Sequence, residues 1–89
     1  MMEFSKAEKL LKALANRRRL KIIKYLQKNE KASVTELAGH LGLSFKSTSR
    51  HLAVLKSADI VESEQVSISC FYHLTLPASP LLNQLMFIV

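Results

Sequence analysis

The chain has no lysine or arginine after Lys56, a single cysteine, only two glycines and two prolines, and no long apolar run. Each shortage closes off a class of protein. A lone Cys70 cannot form an internal disulfide framework and fits a reducing compartment. Few glycines and prolines beside 48% hydrophobic residues exclude a disordered tail and imply a packed domain. No stretch reaches the roughly 18 apolar residues of a membrane span, and "MMEFSKAEKLLKALANRRRLK" lacks the core of a signal peptide. A soluble, cytoplasmic protein with no membrane contact is expected. There is no glycine-rich phosphate loop, carboxylate pair, nucleophile elbow or triad spacing. The expectation is therefore no enzyme, no catalytic residues and no cofactor.

What is present is positive charge, unevenly placed. The formal net charge is +6, and all 13 Lys and Arg lie between Lys6 and Lys56. Beyond Ser57 the charged residues are Asp59, Glu62 and Glu64. A basic region joined to a neutral-to-acidic end suggests one surface made for a polyanion, and nucleic acid is the partner that fits. At 89 residues the chain is expected to form one domain, residues 1–89. Such a core folds with a thin stability margin, which association with a second copy can supplement.

Helical periodicity dominates as far as Ser57. Phe4, Ala7, Leu10, Leu11 and Leu14 make the apolar stripe of a first helix, with Lys6, Lys9 and Lys12 on its wet side. Asn16 suits the N-cap of a second, whose apolar face is Leu20, Ile22, Ile23, Tyr25 and Leu26. "SVTE", Ser33 to Glu36, is a capping box opening a short third helix with Val34, Leu37, Ala38 and Leu41 inward. "GHLGLS" then makes a tight turn, in which Gly42 can adopt positive φ and Ser44 can cap a fourth helix. After Ala58 the period becomes two. Val66, Ile68, Cys70, Tyr72 and Leu74 alternate with Ser67, Ser69, Phe71 and His73, and "IVESE" supplies a partner strand, so a hairpin turning near Gln65 is expected. Cys70 then packs on the apolar face as a structural thiol. Ser79 and Pro80 can open a last, very apolar helix from Leu81 to about Ile88. The predicted class is mainly α with a small β-hairpin, in the order helix, helix, helix, helix, strand, strand, helix.

The fourth helix carries the functional signal. At about 100° per residue, Phe45, Thr48, Leu52 and Leu55 share the face that the core must cover. Lys46, Arg50 and Ala53 fall opposite, with Ser47 and Val54 on one flank and Ser49 on the other. A buried stripe fixes the angle of such a helix, small residues let it approach a duplex, and long or hydroxylated side chains reach bases and phosphates. Arg50 suits a bidentate contact to guanine O6 and N7. Lys46, Ser47 and Ser49 suit phosphate or mixed contacts near the helix N-terminus. Val54 has no role unless the hairpin folds over it.

The stretches "LLKALANRRRLKIIKYL", "SVTELAGHLGLSFKSTSRHLAVLKSADIV" and "CFYHL" resemble the winged helix-turn-helix regulators of the ArsR/SmtB type. The resemblance covers roughly residues 7–74. It implies a homodimeric repressor whose fourth helix enters the major groove, whose hairpin is the wing, and whose first and last helices form the dimer interface. A pseudo-palindromic operator with half-sites about one helical turn apart, ~34–36 Å, follows. In that arrangement Thr35, Ser44 and His51 support the DNA contact through the backbone.

Two departures stand against the family pattern. The wing, "SEQVSIS", carries Glu64 and no Arg, Lys or Gly, so its usual contact with DNA is in doubt. The burden then falls on the fourth helix and on basic residues before it. Arg17, Arg18 and Arg19 are open to two readings, phosphate contacts or a solvated helix start. The metal-sensing residues are missing too. The third helix has only His40, the last has Asn83 and Gln84, and His40, His51, His73 and Cys70 are scattered over different elements. No metal site is expected. The competing reading is a winged-helix protein-interaction module that no longer reads DNA, favoured by the apolar, cation-free wing. Control by a partner protein or a small effector at the dimer interface is compatible with either.

Overall fold

The computed structural model describes residues 3–75 and 80–89. Its elements are α1 (Phe4–Leu14), α2 (Arg17–Lys28), β1 (Ala32–Ser33), α3 (Val34–Leu41), α4 (Phe45–Ser57), β2 (Val61–Val66), β3 (Ser69–Leu74) and α5 (Pro80–Ile88). This is the expected order with one addition. Ala32 and Ser33 pair with Tyr72 and Phe71, so the hairpin becomes a three-stranded antiparallel sheet in the order β1-β3-β2. Two residues are too few to show a period, and Ser33 is also the cap of the next helix.

The helix boundaries are held by the residues that signal them. Asn16 accepts the Arg19 amide at 3.1 Å to open α2. Ser33 Oγ accepts the Glu36 amide at 3.1 Å, and the Glu36 carboxylate accepts the Ser33 amide at 3.0 Å. Gly42 has φ 67°, which lets the Leu43 amide turn back onto the Ala38 carbonyl at 3.0 Å and end α3. Ser44 Oγ takes the Ser47 amide at 3.0 Å and starts α4. That helix ends on Asp59 at φ 59°, with the Asp59 amide on Lys56 O and the Ile60 amide on Leu55 O, both at 3.0 Å. This is a Schellman ending with Asp in the position glycine usually takes, and the buried pair Leu55 and Ile60 supplies its apolar contact. The Ser79 cap falls outside the described residues.

Ile22, Ile23 and Leu26 of α2, Leu37 of α3, Leu52 and Leu55 of α4, Val61 of β2 and Met86 of α5 form the centre of one core. The apolar faces expected of α2 and α3 are inward. Two other expectations fail at element ends. Phe45 belongs on the buried face by angle, yet it is 60% exposed, because the first residue of α4 projects past the core that covers Thr48, Leu52 and Leu55. On α1, Leu14 is buried but Phe4 and Leu11 are exposed, so this stripe finds only part of its cover among the described residues.

The hairpin turns at Ser67–Ile68, not near Gln65. Val66 pairs with Ser69, leaving a two-residue loop in which Ser67 has φ 57°. Such a loop changes the parity between strands. Val66 therefore shares a face with Glu62 and Glu64, Ile68 stands at the tip, 96% exposed, and the inner face of β3 is Cys70, Tyr72 and Leu74, all half-buried. Cys70 thus lies on the inner face as expected, but it is half-buried rather than buried.

One side chain joins three helices. Arg19, in the first turn of α2, donates from Nε to the Ala13 carbonyl at 2.6 Å and from Nη2 to the Lys12 carbonyl at 3.0 Å. Its Nη1 faces His51 Nδ1 of α4 at 3.4 Å. The guanidinium therefore caps the C-terminal end of α1, where a cation is favoured, and braces α4. Burial first, and then the charges of Arg19 and Arg18, lower the His51 pKa below its ordinary 6.5. A neutral imidazole turns its lone pair to Arg19 without repulsion. Lys24 makes a second cap of this kind, donating to the Met86 carbonyl of α5 at 2.6 Å.

Two outcomes follow. Arg19→Met keeps much of the stem but leaves two α1 carbonyls without their donor, and should lower the stability in urea by about 1–3 kcal/mol. For His51 the unfolded chain binds the proton more readily than the folded one. Its contribution is complete above pH 6.5 and is lost as pH falls through the depressed folded value. The melting temperature of the native protein should therefore drop more steeply below pH 6.5 than that of His51→Gln. Parallel pH profiles would contradict the assignment.

Candidate nucleic-acid interface

The chain builds α4 as a helix with one committed face. Thr48, Leu52 and Leu55 are fully buried. Thr48 meets its own polar requirement by donating from Oγ1 to the Ser44 carbonyl at 2.9 Å. With that face fixed, Lys46, Arg50 and Ala53 are exposed along the opposite side, and Ser47 and Ser49 are half-buried on the flanks. Lys46 and Arg50 are one turn apart and so point the same way. Among the described residues neither makes an ion pair or side-chain hydrogen bond. Val54 stays 40% exposed, because the hairpin does not fold over it. The hairpin touches α4 further on, where Lys56 Nζ donates to Ser63 Oγ of β2 at 2.6 Å.

The three supporting residues divide. Thr35 is exposed in the first turn of α3. Ser44 is exposed, with its oxygen accepting the Ser47 amide and its hydroxyl proton still free to donate outward. His51 is half-buried and turned to Arg19, away from the Lys46–Arg50 face. Its effect on that face runs through the position of α4.

Two features of this surface are hidden in the sequence. Phe45, beside Lys46, is part of the exposed surface at the start of α4. A helical wheel conceals this, since it treats a terminal residue like an interior one. The three arginines also separate: Arg19 is the junction, while Arg17 and Arg18 remain exposed. The short Ala15–Asn16 connection is the one available signal, because it leaves Arg19 able to reach back to the end of α1.

The wing is electrostatically the reverse of α4. Glu62 and Glu64 are exposed on one face of the hairpin beside Phe71 and His73, and Glu62 pairs with His73 at 3.3 Å. A cation does approach this face at Lys31, 5.2 Å from the Phe71 ring centre. Each histidine has a neighbour that accounts for it: Tyr25 for His40, with ring centres 4.6 Å apart, Arg19 for His51 and Glu62 for His73. Among the described residues no three His, Cys, Asp or Glu converge as metal ligands would.

Comparison with known proteins agrees with this architecture. Residues 16–63 match the family model of the bacterial regulatory proteins of the arsR family. The transcriptional activator HlyU of Vibrio cholerae serotype O1 is 44% identical over 71 residues, 80% of this chain and 65% of that protein. The chain thus spans somewhat under two thirds of this relative's length. The solved structure of HlyU from Vibrio cholerae superposes with a TM-score of 0.79 at 37% identity, covering 98% of this chain and 92% of that one. The transcriptional repressor BigR from Xylella fastidiosa gives 0.79 at 33% identity, covering 94% and 83%. A homodimeric winged helix-turn-helix DNA-binding domain from Mycobacterium bovis gives 0.78 at 27% identity, covering 94% and 74%. By its matched segment, its identity to HlyU and its fold, the chain belongs to the arsR family of bacterial regulatory proteins.

Proposed function

We propose that residues 1–89 act as one winged-helix domain: a homodimeric, sequence-specific regulator of transcription that binds double-stranded DNA in the bacterial cytoplasm. The observation that carries this reading is the Lys46–Arg50 face, exposed and unpaired on a helix whose other side is locked into the core. Arg50 reads a guanine through O6 and N7. Lys46, Ser47 and Ser49 hold the flanking phosphates, helped by the positive end of the α4 dipole. Thr35 and Ser44 add backbone contacts from the starts of α3 and α4, and His51 acts by keeping α4 in place.

The dimer supplies the second reading head. Phe4 and Leu11 of α1 and Phe87 and Ile88 of α5 are exposed. Faces of this size cost a monomer roughly 1.5–3 kcal/mol per large side chain left in water. That the Mycobacterium bovis relative is a homodimer supports the same use of these faces here. Two copies of α4 would then meet successive major grooves ~34–36 Å apart on a pseudo-palindrome. Repression is the simplest outcome, since a dimer seated over a promoter excludes polymerase. The sign depends on where the operator lies, and the relatives include both an activator and a repressor.

One observation favours a second reading. Ile68 and Val66 give the wing an exposed apolar tip beside Glu62 and Glu64, a surface better suited to a protein than to phosphate. Selection from a pool of random duplexes decides between the two. Enrichment of an inverted repeat, with affinity falling steeply as salt rises, is expected. Binding without enrichment would leave the protein-interaction reading. On the recovered operator, Arg50→Ala should cost ~1–3 kcal/mol and relax one base position, whereas Lys46→Ala should weaken all sequences about equally. Phe87→Asp should shift the protein from dimer to monomer in sedimentation and lower operator affinity by roughly tenfold or more, through loss of the second half-site.

A further inference from the structure

A cleft of about 480 Å³ lies between the start of α2 and the turn joining α3 to α4, lined by Asn16, Arg17, Arg18 and Lys21 on one side and Gly42 and Leu43 on the other. Arg17, Arg18 and Lys21 are exposed, and among the described residues none has an acidic or hydrogen-bonding partner. Their position is also electrostatically unfavourable. Arg17 and Arg18 sit in the first turn of α2, which contains no acidic residue, so two cations face the positive end of a helix dipole. Arg19 offsets its own share by capping α1. Arg17 and Arg18 have no such compensation. Uncompensated cations around one concave surface are what an anion would relieve.

The location says which anion. The cleft is lined by the turn that leads directly into Ser44, Phe45 and Lys46, so an anion held there lies near the N-terminal end of the reading helix. The opposite flank, the wing, offers Glu62 and Glu64 and no cation of its own. A duplex seated on α4 therefore meets free cations at the start of α2, whereas the two cations beside the wing, Lys31 and Lys56, are already engaged with Phe71 and Ser63. We infer that Arg17, Arg18 and Lys21 form a clamp for the DNA backbone, receiving phosphates that flank the groove occupied by α4 and taking over the anchoring that the acidic wing cannot provide. The inference rests on the proposed DNA-binding function and adds to it a second, sequence-independent contact region. Lys21, one turn after Arg17, closes the cleft from the same helix face. Because phosphates carry no base information, this clamp sets affinity and register while Arg50 sets preference.

The test is a salt titration of binding with the full chain. Arg17→Ser, Arg18→Ser and Lys21→Ser are combined and compared with the native protein on the recovered operator and on a scrambled duplex. Removing a cation that neutralises one phosphate should make the plot of log affinity against log salt shallower by ~0.9. The triple variant is expected to lose roughly 1–3 units of slope per protomer, to weaken equally on both duplexes, and to keep the native order of base preference. Its melting temperature should be equal or higher, since charges opposing the dipole have been removed, which separates this result from misfolding. An unchanged slope in a variant that still enriches the same operator would overturn the clamp and leave the DNA-binding function standing. An unchanged slope, with millimolar pyrophosphate raising the melting temperature of the native protein and not of the variant, would assign the cleft to a small anion and also overturn the clamp. If the native protein itself shows no salt-dependent, enriched binding, both the function and the clamp fail.

Discussion

The Arg19 guanidinium is the contact on which the exposed surface depends. A helix that reads DNA must present its outer side chains at a fixed angle, and that angle is set by what holds its inner ones. In this chain the end of α1, the start of α2 and the middle of α4 meet at one planar group that donates to Lys12 O and Ala13 O and faces His51. Arginine suits this position because its donors form a rigid fork and its charge falls on the negative end of α1. A lysine has one point of charge and could not serve two carbonyls and an imidazole in the same plane. The cost of a cation in the first turn of α2 is thereby offset at the end of its neighbour.

Charge elsewhere is sorted by the same logic of distance. At physiological salt, exposed charges more than about 8 Å apart are largely screened. Glu62 and Glu64 are exposed, so their reach is correspondingly short. They act only on phosphates that come close to the wing itself. The result is an uneven distribution, with free cations along α2 and Glu62 and Glu64 exposed on the hairpin. A family in which the hairpin serves as a wing can dispense with that wing's grip on DNA and keep the recognition helix, provided that attraction is supplied from another side. In this chain the region rich in lysine and arginine, Lys6 to Lys56, is the one that includes α2.

What the sequence discloses follows from how local each cause is. The capping box at Ser33 and Glu36, the Asn16 and Ser44 caps and the positive φ at Gly42 are each decided within a few residues, and all are as expected. The exposed face of α4 is decided by a period sustained over thirteen residues, long enough to read. The misses lie where the cause is tertiary or the signal is short. β1 exists only because β3 passes beside it. The hairpin turn lies beyond its expected place because neither central position is glycine, and Ser67 takes the positive φ that a glycine would announce. Phe45 and Leu11 have the right angle for burial but, among the described residues, no neighbour that covers them. The role of Arg19 is hard to read among three consecutive arginines, since beyond the short Ala15–Asn16 connection only the packing of α1 against α2 tells it from its neighbours.

The exposed faces of α5 and α4 are tied to one element, α2. Met86 of α5 is buried in the core, and its carbonyl accepts from Lys24 of α2 at 2.6 Å. Earlier on α2 stands Arg19, which holds α4 through His51. Between these two ties α2 buries Ile22 and Ile23 completely, in the same core as Leu52 of α4. The geometry therefore runs from α5 to α2 to α4 through buried side chains and the Lys24 and Arg19 ties, with no flexible loop in between. In a dimer joined through α1 and α5, this rigidity is what would translate a contact between two copies into a fixed spacing between two α4 helices. A domain of this size has little stability to spare, and using one helix both to complete the core and to transmit that spacing makes the two requirements the same requirement.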